Sequence, residues 1–472
     1  MMNKQIPVQD VTPQAKAAAG GVDLYASREK IYTRAFTGFY RNLRRFGGAL
    51  LFLIYFGTVW LSWDGHQAVW WNLPERKFFI FGATFWPQDF ILLSGALITC
   101  AFGLFFITVF AGRVWCGYTC PQSVWTWIFM WCEKITEGDR NQRMKLDKAP
   151  MSANKLLRKL AKHSLWILIG FVTGLTFVGY FSPIRDLVVE LFTGEASGWA
   201  YFWVAFFTLA TYGNAGWLRE QVCIYMCPYA RFQSVMFDKD TLIVSYDPRR
   251  GERRGPRKKN ADYKTEGLGD CIDCTMCVQV CPTGIDIRDG LQIECIGCAA
   301  CIDACDSIMD KMGYPRGLIS YTTEHNLSGQ KTHLLRPRLI GYAFALLLII
   351  GALVTAVVLR PLVGFDVSKD RVLFREDSQG RIENVYSLKI MNKDQHDHTY
   401  VISARGLEDI QLGGKREIQV AAGEILTLPA QLSVAPENLP STTNEVVFTL
   451  QSTDDPDIQV EAKTRFIGPR VR

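Results

Sequence analysis

Five stretches of the chain are long, apolar and almost free of charge: residues 46–63, 90–111, 164–181, 199–217 and 339–359. A helix needs about 20 such residues to cross a hydrocarbon core. The pattern therefore predicts five membrane-spanning helices. The first starts too far from the N-terminus for a signal peptide, and no small-residue cleavage site follows it, so it reads as an anchor. After Pro361 the pattern changes to alternation of apolar and polar positions, in 385–391, 399–403, 417–420, 424–428, 445–450 and 458–466. Turn signals separate these runs at 377–380, 413–414, 435–438 and 453–456. Short strands at this spacing predict an all-β sandwich of about 100 residues.

Lysine and arginine fall unevenly between the apolar stretches. The N-terminal tail carries eight, with Arg41, Arg44 and Arg45 beside the first stretch. The first loop has Arg76 and Lys77, and the third has Arg185 alone. The second and fourth loops are dense in both, the fourth with a run from Arg249 to Lys259. Basic flanks stay on the cytoplasmic side, which puts the N-terminus and the fourth loop inside and the sandwich outside. The expected organisation is a tail (1–45, with some order near Val22-Asp23-Leu24-Tyr25) and four spans (46–217). A cytoplasmic region (218–338), a fifth span (339–360) and an outer domain (361–472) follow.

Composition narrows the class. The 472 residues are 49% hydrophobic and 12% aromatic, which excludes general disorder. The 14 cysteines all lie between Cys100 and Cys305, so the chain is no small disulfide-stapled domain. A net charge of +6 needs no nucleic acid to explain it.

The sharpest motif is Cys271-x2-Cys274-x2-Cys277-x3-Cys281-Pro282, followed by Cys295-x2-Cys298-x2-Cys301-x3-Cys305. This is the two-cluster bacterial ferredoxin spacing, in which the fourth cysteine of each run ligates the other cluster. It assigns Cys271, Cys274, Cys277 and Cys305 to one [4Fe–4S] cluster and Cys295, Cys298, Cys301 and Cys281 to the second. An α+β ferredoxin domain over about 262–312 is implied. Zinc also accepts all-cysteine ligation, but three cysteines at x2, x2 followed by x3 suit clusters better. Asp306 stands where a proline usually follows the last cysteine, which leaves the local turn open.

A second constellation recurs at two span ends: Cys116-x3-Cys120-Pro121 and Cys223-x3-Cys227-Pro228, a parallel duplication of a two-span unit. On a helix this spacing puts both sulfurs on one face. Cytosolic thiols stay reduced, and soft thiolates favour Cu(I), zinc or iron–sulfur chemistry. Cu(II) meeting thiolates beside a low-potential cluster would be reduced and held as Cu(I). Met226 could add a thioether. Cys100 and Cys132 read as packing residues, His163 as interfacial, and His396 and His398 as exposed polar positions.

Taken with the motif Trp115-Cys116-Gly117-Tyr118-Thr119-Cys120-Pro121-Gln122, these features resemble the CcoG (FixG/RdxA) family of cytochrome c oxidase accessory proteins, membrane-bound polyferredoxins. The resemblance covers nearly the whole chain. It implies a bacterial inner-membrane protein with an immunoglobulin-like outer domain. It implies cupric reductase activity too, with copper as substrate or bound ion, for assembly of a cbb3-type oxidase. Partners would be the bilayer, an unidentified cytoplasmic electron donor, copper-trafficking proteins and oxidase assembly factors, and a homo-oligomer is left open. Two other functions are expected as alternatives: an electron-transfer subunit exchanging electrons with quinol or a partner complex, and a non-enzymatic assembly scaffold. The chain has no haem-attachment motif, Walker loop or Gly-x-Gly-x-x-Gly, so the donor is external.

Overall fold

The computed structural model describes residues 30–469, apart from 260, 395, 456 and 457. The order expected near Val22–Tyr25, and Pro456 of the last turn signal, lie outside the described residues. Helix α1 (Phe39–Gly57) leads into a short strand pair, β1 (Ser62–Trp63) and β2 (His66–Gln67). A three-stranded antiparallel sheet follows, of β3 (Val69–Asn72), β4 (Lys77–Ile80) and β5 (Ala83–Phe85). These strands went unpredicted in the first loop. Their aromatic residues have the right propensity, but each strand has four residues or fewer, too short for a period to register.

Helix α2 (Phe90–Ala111) stops at Gly112. That residue has φ +59°, and a Cβ on it would lie 2.7 Å from the Leu242 carbonyl oxygen, so both the conformation and the contact exclude a side chain. Next come α3 (Val114–Tyr118), α4 (Pro121–Glu137), α5 (Arg140–Lys148), α6 (Ala153–Gly179), the surface helix α7 (Ile184–Thr193) and α8 (Gly198–Thr211). Ser152 and Ser197 cap α6 and α8 by accepting from Lys155 N and Ala200 N. Gly170 and Gly174 let α6 approach α8 closely: a Cβ at either would sit 2.8 Å from a carbonyl oxygen of Thr208 or Val204. Helix α8 then widens into π-helical turns over Tyr212–Leu218 and is followed by α9 (Pro228–Met236).

Among the described residues three helices are long and apolar enough to span a bilayer: α2, α6 and α14 (Pro337–Val358). The other two expected spans differ for identifiable reasons. Helix α1 begins earlier than the apolar run and takes in Arg41, Arg44 and Arg45, while α8 has only 14 residues before its geometry changes.

At the basic end of α6, Glu133 of α4 is 1% exposed and held between Arg143 and Arg219, and neighbouring Glu137 meets Lys159 at 2.9 Å and Lys162 at 3.0 Å. Burial, the largest influence, pushes the Glu133 carboxyl up, but Arg219, Arg143 and Lys162 together hold it below the usual carboxylate range. Removing this charge would strand two guanidinium groups, which typically costs about 3–5 kcal/mol. Glu133→Gln is therefore expected to lower the melting temperature in detergent sharply. A melt within a degree of the parent protein would refute that expectation.

Between α9 and α14 lies a compact cysteine-rich module. Strand β6 (Ile243–Tyr246) leads into the one-turn helix α10 (Pro248–Gly251), then α11 (Met276–Val280), α12 (Ala300–Met312), β7 (Ile319–Thr322) and the one-turn α13 (Glu324–Leu327). Strands β6 and β7 pair antiparallel, with Val244 opposite Tyr321. The module is anchored to the long apolar helices at several points. One is Arg336, at the start of α14, which donates to the Val109 carbonyl at the end of α2 and pairs with Asp238 at 2.9 Å.

Beyond α14 two antiparallel sheets face each other. One holds β8 (Val363–Lys369), β9 (Arg375–Glu376), β10 (Ile382–Asn392), β12 (Gln411–Gly413) and β14 (Ile425–Val434), in the order β12-β14-β10-β8 with β9 on β10. The other holds β11 (His398–Arg405), β13 (Glu417–Val420), β15 (Thr443–Ser452) and β16 (Gln459–Ile467), in the order β13-β11-β15-β16. Alternate residues such as Tyr386, Leu388, Ile390, Tyr400, Phe448 and Phe466 fill the interior. Each of the six alternating runs coincides with a strand. Asp89, at the start of α2, ties this sandwich to the long apolar helices by pairing with Arg360 (2.7 Å) and Lys393 (3.1 Å).

Candidate metal centres at the membrane face

Two cavities in the cysteine-rich module are lined by sulfur. Cys271, Cys274, Cys277 and Cys305 line one, together with Tyr246, Leu318 and Ile319. Cys281, Cys295, Cys298 and Cys301 line the other, with Val244 and Ile287; Cys277 also touches it. Each cavity thus takes sulfurs from both runs. The backbone repeats between the runs as well. Asp273 and Thr275 have φ of +54°, and the matching Gly297 and Ala299 have +65° and +58°. Left-handed residues at alternate positions can turn successive N–H groups into a concavity that suits an anion such as an iron–sulfur cluster. Three of these four residues are not glycine, so the turn is held against a steric cost. Burial pushes the Cys277, Cys295 and Cys305 thiols up to about 12, so ligation there would release protons. Cys274 is exposed.

The open question at Asp306 has a local answer. Pro282 follows Cys281 where α11 ends, whereas Asp306 lets α12 run on to Met312. Its carboxylate accepts from Gly317 N at 2.9 Å.

The four membrane-face cysteines are arranged differently from the helical expectation. Cys116 lies in α3, but Cys120 is the residue before Pro121 and starts α4. Cys223 lies in a π-helical turn (Val222–Met226), and Cys227 precedes Pro228 at the start of α9. A residue before proline is disfavoured in helical geometry, so neither pair shares one α-helix face. The four nevertheless lie near enough to influence one another's charge, although no three of their sulfurs come within 4.8 Å of one another. Cys223 feels the charge of Cys116, Cys120 and Cys227, and Cys116 that of Cys120 and Cys227. Burial first, and these neighbours second, push Cys116 up to about 11 and Cys223 up to about 12. The Cys116 thiol also reaches the Gln233 side-chain oxygen at 3.4 Å.

This thiol group sits directly against the second sulfur-lined cavity. A Cβ on Gly117 would lie 2.7 Å from the Gly297 oxygen and 2.9 Å from the Cys298 Cα. Cys116 packs against the buried cluster of Val280, Ile296, Cys298, Ala300 and Ala304. Arg113 donates to the carbonyls of Ile293, Cys295 (3.0 Å) and Ala230 (2.8 Å), joining the cavity's loop to both thiol motifs. Tyr321 adds a bond to the Gly297 oxygen at 2.6 Å.

Other candidates divide. Met226 and Cys100 are exposed, so Cys100 does not pack inside the protein as expected, whereas Cys132 is fully buried. His163 accepts or donates at 2.9 Å with the Tyr212 hydroxyl. His396 is exposed, but His398 is buried and bonded to Asp394 at 2.9 Å.

Two features went unnoticed in the sequence. Asp240, His325 and His333 bring their donor atoms within 4.8 Å of one another, with the Asp240 carboxylate bonded to the His325 ring at 2.7 Å and to the His333 amide at 2.9 Å. Asp303, between two cysteines of the second run, caps α1 by accepting from Tyr40 N (3.1 Å) and Arg41 N (2.7 Å). A capping residue 262 positions away leaves no local signal.

Residues 218–324 match a family model described as a 4Fe-4S dicluster domain, and residues 353–469 match one described as an IG-like fold at the C-terminal of FixG. Protein RdxB of Cereibacter sphaeroides is 40% identical over 423 residues, covering 86% of this chain and 87% of its own. Nitrogen fixation protein FixG of Rhizobium meliloti is 37% identical over 446 residues, covering 84% and 85%. A crystal structure of a FixG-related protein from Vibrio parahaemolyticus, 34% identical, covers 22% of this chain and 95% of its own at a TM-score of 0.21.

Proposed function

This chain belongs to the FixG/RdxA family of iron–sulfur electron-transfer proteins, and from that premise we propose that it is a cupric reductase of the bacterial inner membrane. In this reading five helices cross the bilayer, with α1 and α8 joining α2, α6 and α14. The cysteine-rich module faces the cytoplasm and the sandwich the periplasm. Cys271, Cys274, Cys277 and Cys305 hold one [4Fe–4S] cluster, and Cys281, Cys295, Cys298 and Cys301 hold the other. Bound there, such clusters supply one-electron transfer at low potential.

The chain's own residues do the rest. Exposed Cys274 marks where a cytoplasmic donor delivers electrons. Val244, Tyr246, Ile287 and Ile319 exclude water from the cavities. Arg113 and Gly117 hold the second cavity against the thiols. The substrate Cu(II) gains one electron and becomes Cu(I), which Cys116, Cys120, Cys223 and Cys227 retain as soft ligands. The product passes to copper-trafficking proteins and assembly factors of a cbb3-type oxidase.

The observation that carries this reading is the backbone contact between Gly117 and Gly297–Cys298, which leaves no layer of protein between the thiol motif and the second cavity. The test uses anaerobically purified full-length protein. Iron, acid-labile sulfide and copper are quantified with EPR, and dithionite-reduced protein is then given Cu(II) and a chelator that colours with Cu(I). About one Cu(I) per electron stored is expected. Reoxidation by a quinone at a catalytic rate, with no Cu(I) formed, would replace this reading by that of an electron-transfer subunit. Rescue of oxidase assembly by a cluster-free variant would replace it by that of a scaffold.

A further inference from the structure

A cavity of about 530 Å³ opens beside the first turns of α1, between residues 33–36 and α4, and reaches Val280 and Pro282 of the cysteine-rich module. Arg44 lines it. This side chain is only 7% exposed, and none of its three guanidinium nitrogens has a hydrogen-bond partner among the described residues. It lies 3.9 Å over the ring of Trp127, whose indole nitrogen is also buried without a partner. Arg41, Arg45 and Lys134 line the same space.

Among the described residues the cavity therefore gathers donors and positive charge against a single carboxylate. The one carboxylate on its wall, Asp139, is committed elsewhere: it accepts from Ala35 N at 3.0 Å and caps α5. A buried guanidinium left bare is heavily penalised. The missing group must carry negative charge and several acceptor oxygens, as a phosphate does. The rest of the wall is greasy. Phe52, Ile128, Trp131 and Ile135 line it, and Trp131 and Ile135 are 59% and 58% exposed at its mouth.

We propose that this cavity is a binding site for one acidic phospholipid, its phosphate bonded by Arg44 and Trp127 and its acyl chains lying along Phe52, Trp131 and Ile135. Basic pockets beside membrane helices recognise acidic headgroups in this way. A neutral quinone would satisfy the hydrogen bonds but leave the guanidinium charge uncompensated. The lipid would rest against Pro282, next to Cys281, and so would brace the second cavity from the membrane side.

The test is native mass spectrometry of the full-length, cluster-containing protein after delipidation. Phosphatidylglycerol, phosphatidylcholine and inorganic phosphate are added separately. One phosphatidylglycerol is expected to remain bound, at least tenfold more tightly than phosphatidylcholine, with no saturation by phosphate alone. Arg44→Gln is expected to weaken it tenfold or more. Should that variant fail to fold, Lys134→Gln at the exposed rim serves instead, with a loss of roughly two- to fivefold, as one fewer surface charge predicts. Equal retention of both lipids, saturation by inorganic phosphate, or unchanged binding in a folded variant would overturn the proposal.

Discussion

Changing Cys116, Cys120, Cys223 and Cys227 together to serine is expected to cut Cu(II) reduction at least tenfold while leaving iron and acid-labile sulfide at parent levels. The two halves of this outcome separate the two sulfur groups. The eight cysteines of the module line cavities of their own, so serine at the membrane face removes none of their sulfurs. What disappears is the soft ligand set that favours Cu(I) over Cu(II), and with it the pull that drives reduction at that spot. Serine is nearly the size of cysteine, so collapse of Cys116 and Cys223, which are partly buried, should be slight. A rate within twofold of the parent, at equal cluster content, would remove these four residues from the mechanism.

Gly117→Ala should be almost as damaging for a different reason. The added methyl would meet the Gly297 oxygen and the Cys298 Cα at under 3 Å. Both are backbone atoms, and no side chain can swing aside to make room. Overpacking of this kind costs about 1–3 kcal/mol, relieved by moving the Cys298 loop away from the thiols. Stopped-flow measurement of cluster bleaching by Cu(II) is expected to slow about tenfold, because transfer falls steeply with distance. Gly213→Ala is the control: nothing lies within 4 Å of its would-be Cβ, and its rate should stay within twofold. Equal rates for both variants would show that the contact does not carry the electron.

Much of this architecture was legible along the chain because its signals are local. Six alternating runs fall on six of the nine sandwich strands among the described residues, since alternation encodes which face is buried, while β8, β9 and β12 carried no such run. The triple-cysteine spacing located the module because one loop must supply three ligands to one centre. What was illegible depends on remote partners. Arg113 looks like a topology charge, yet its guanidinium is spent on three backbone carbonyls more than 100 residues away. Arg44 looks the same and is buried. The Cys-x3-Cys pairs invited a helical reading, and the proline that follows each pair should have argued against it. The boundary of α1 was missed because arginines outside an apolar run still continue its helix.

The cap that Asp303 places on α1 has a temporal consequence. The amides of Tyr40 and Arg41 leave the ribosome 263 and 262 residues before the carboxylate that bonds them. At about 5–20 residues per second that is a wait of roughly 13–50 seconds. During it α1 stands with an unfinished N-terminal end, and a nascent chain whose cysteine-rich module never folds keeps it unfinished. Folding of the cysteine-rich module is thereby coupled to completion of the chain's first helix.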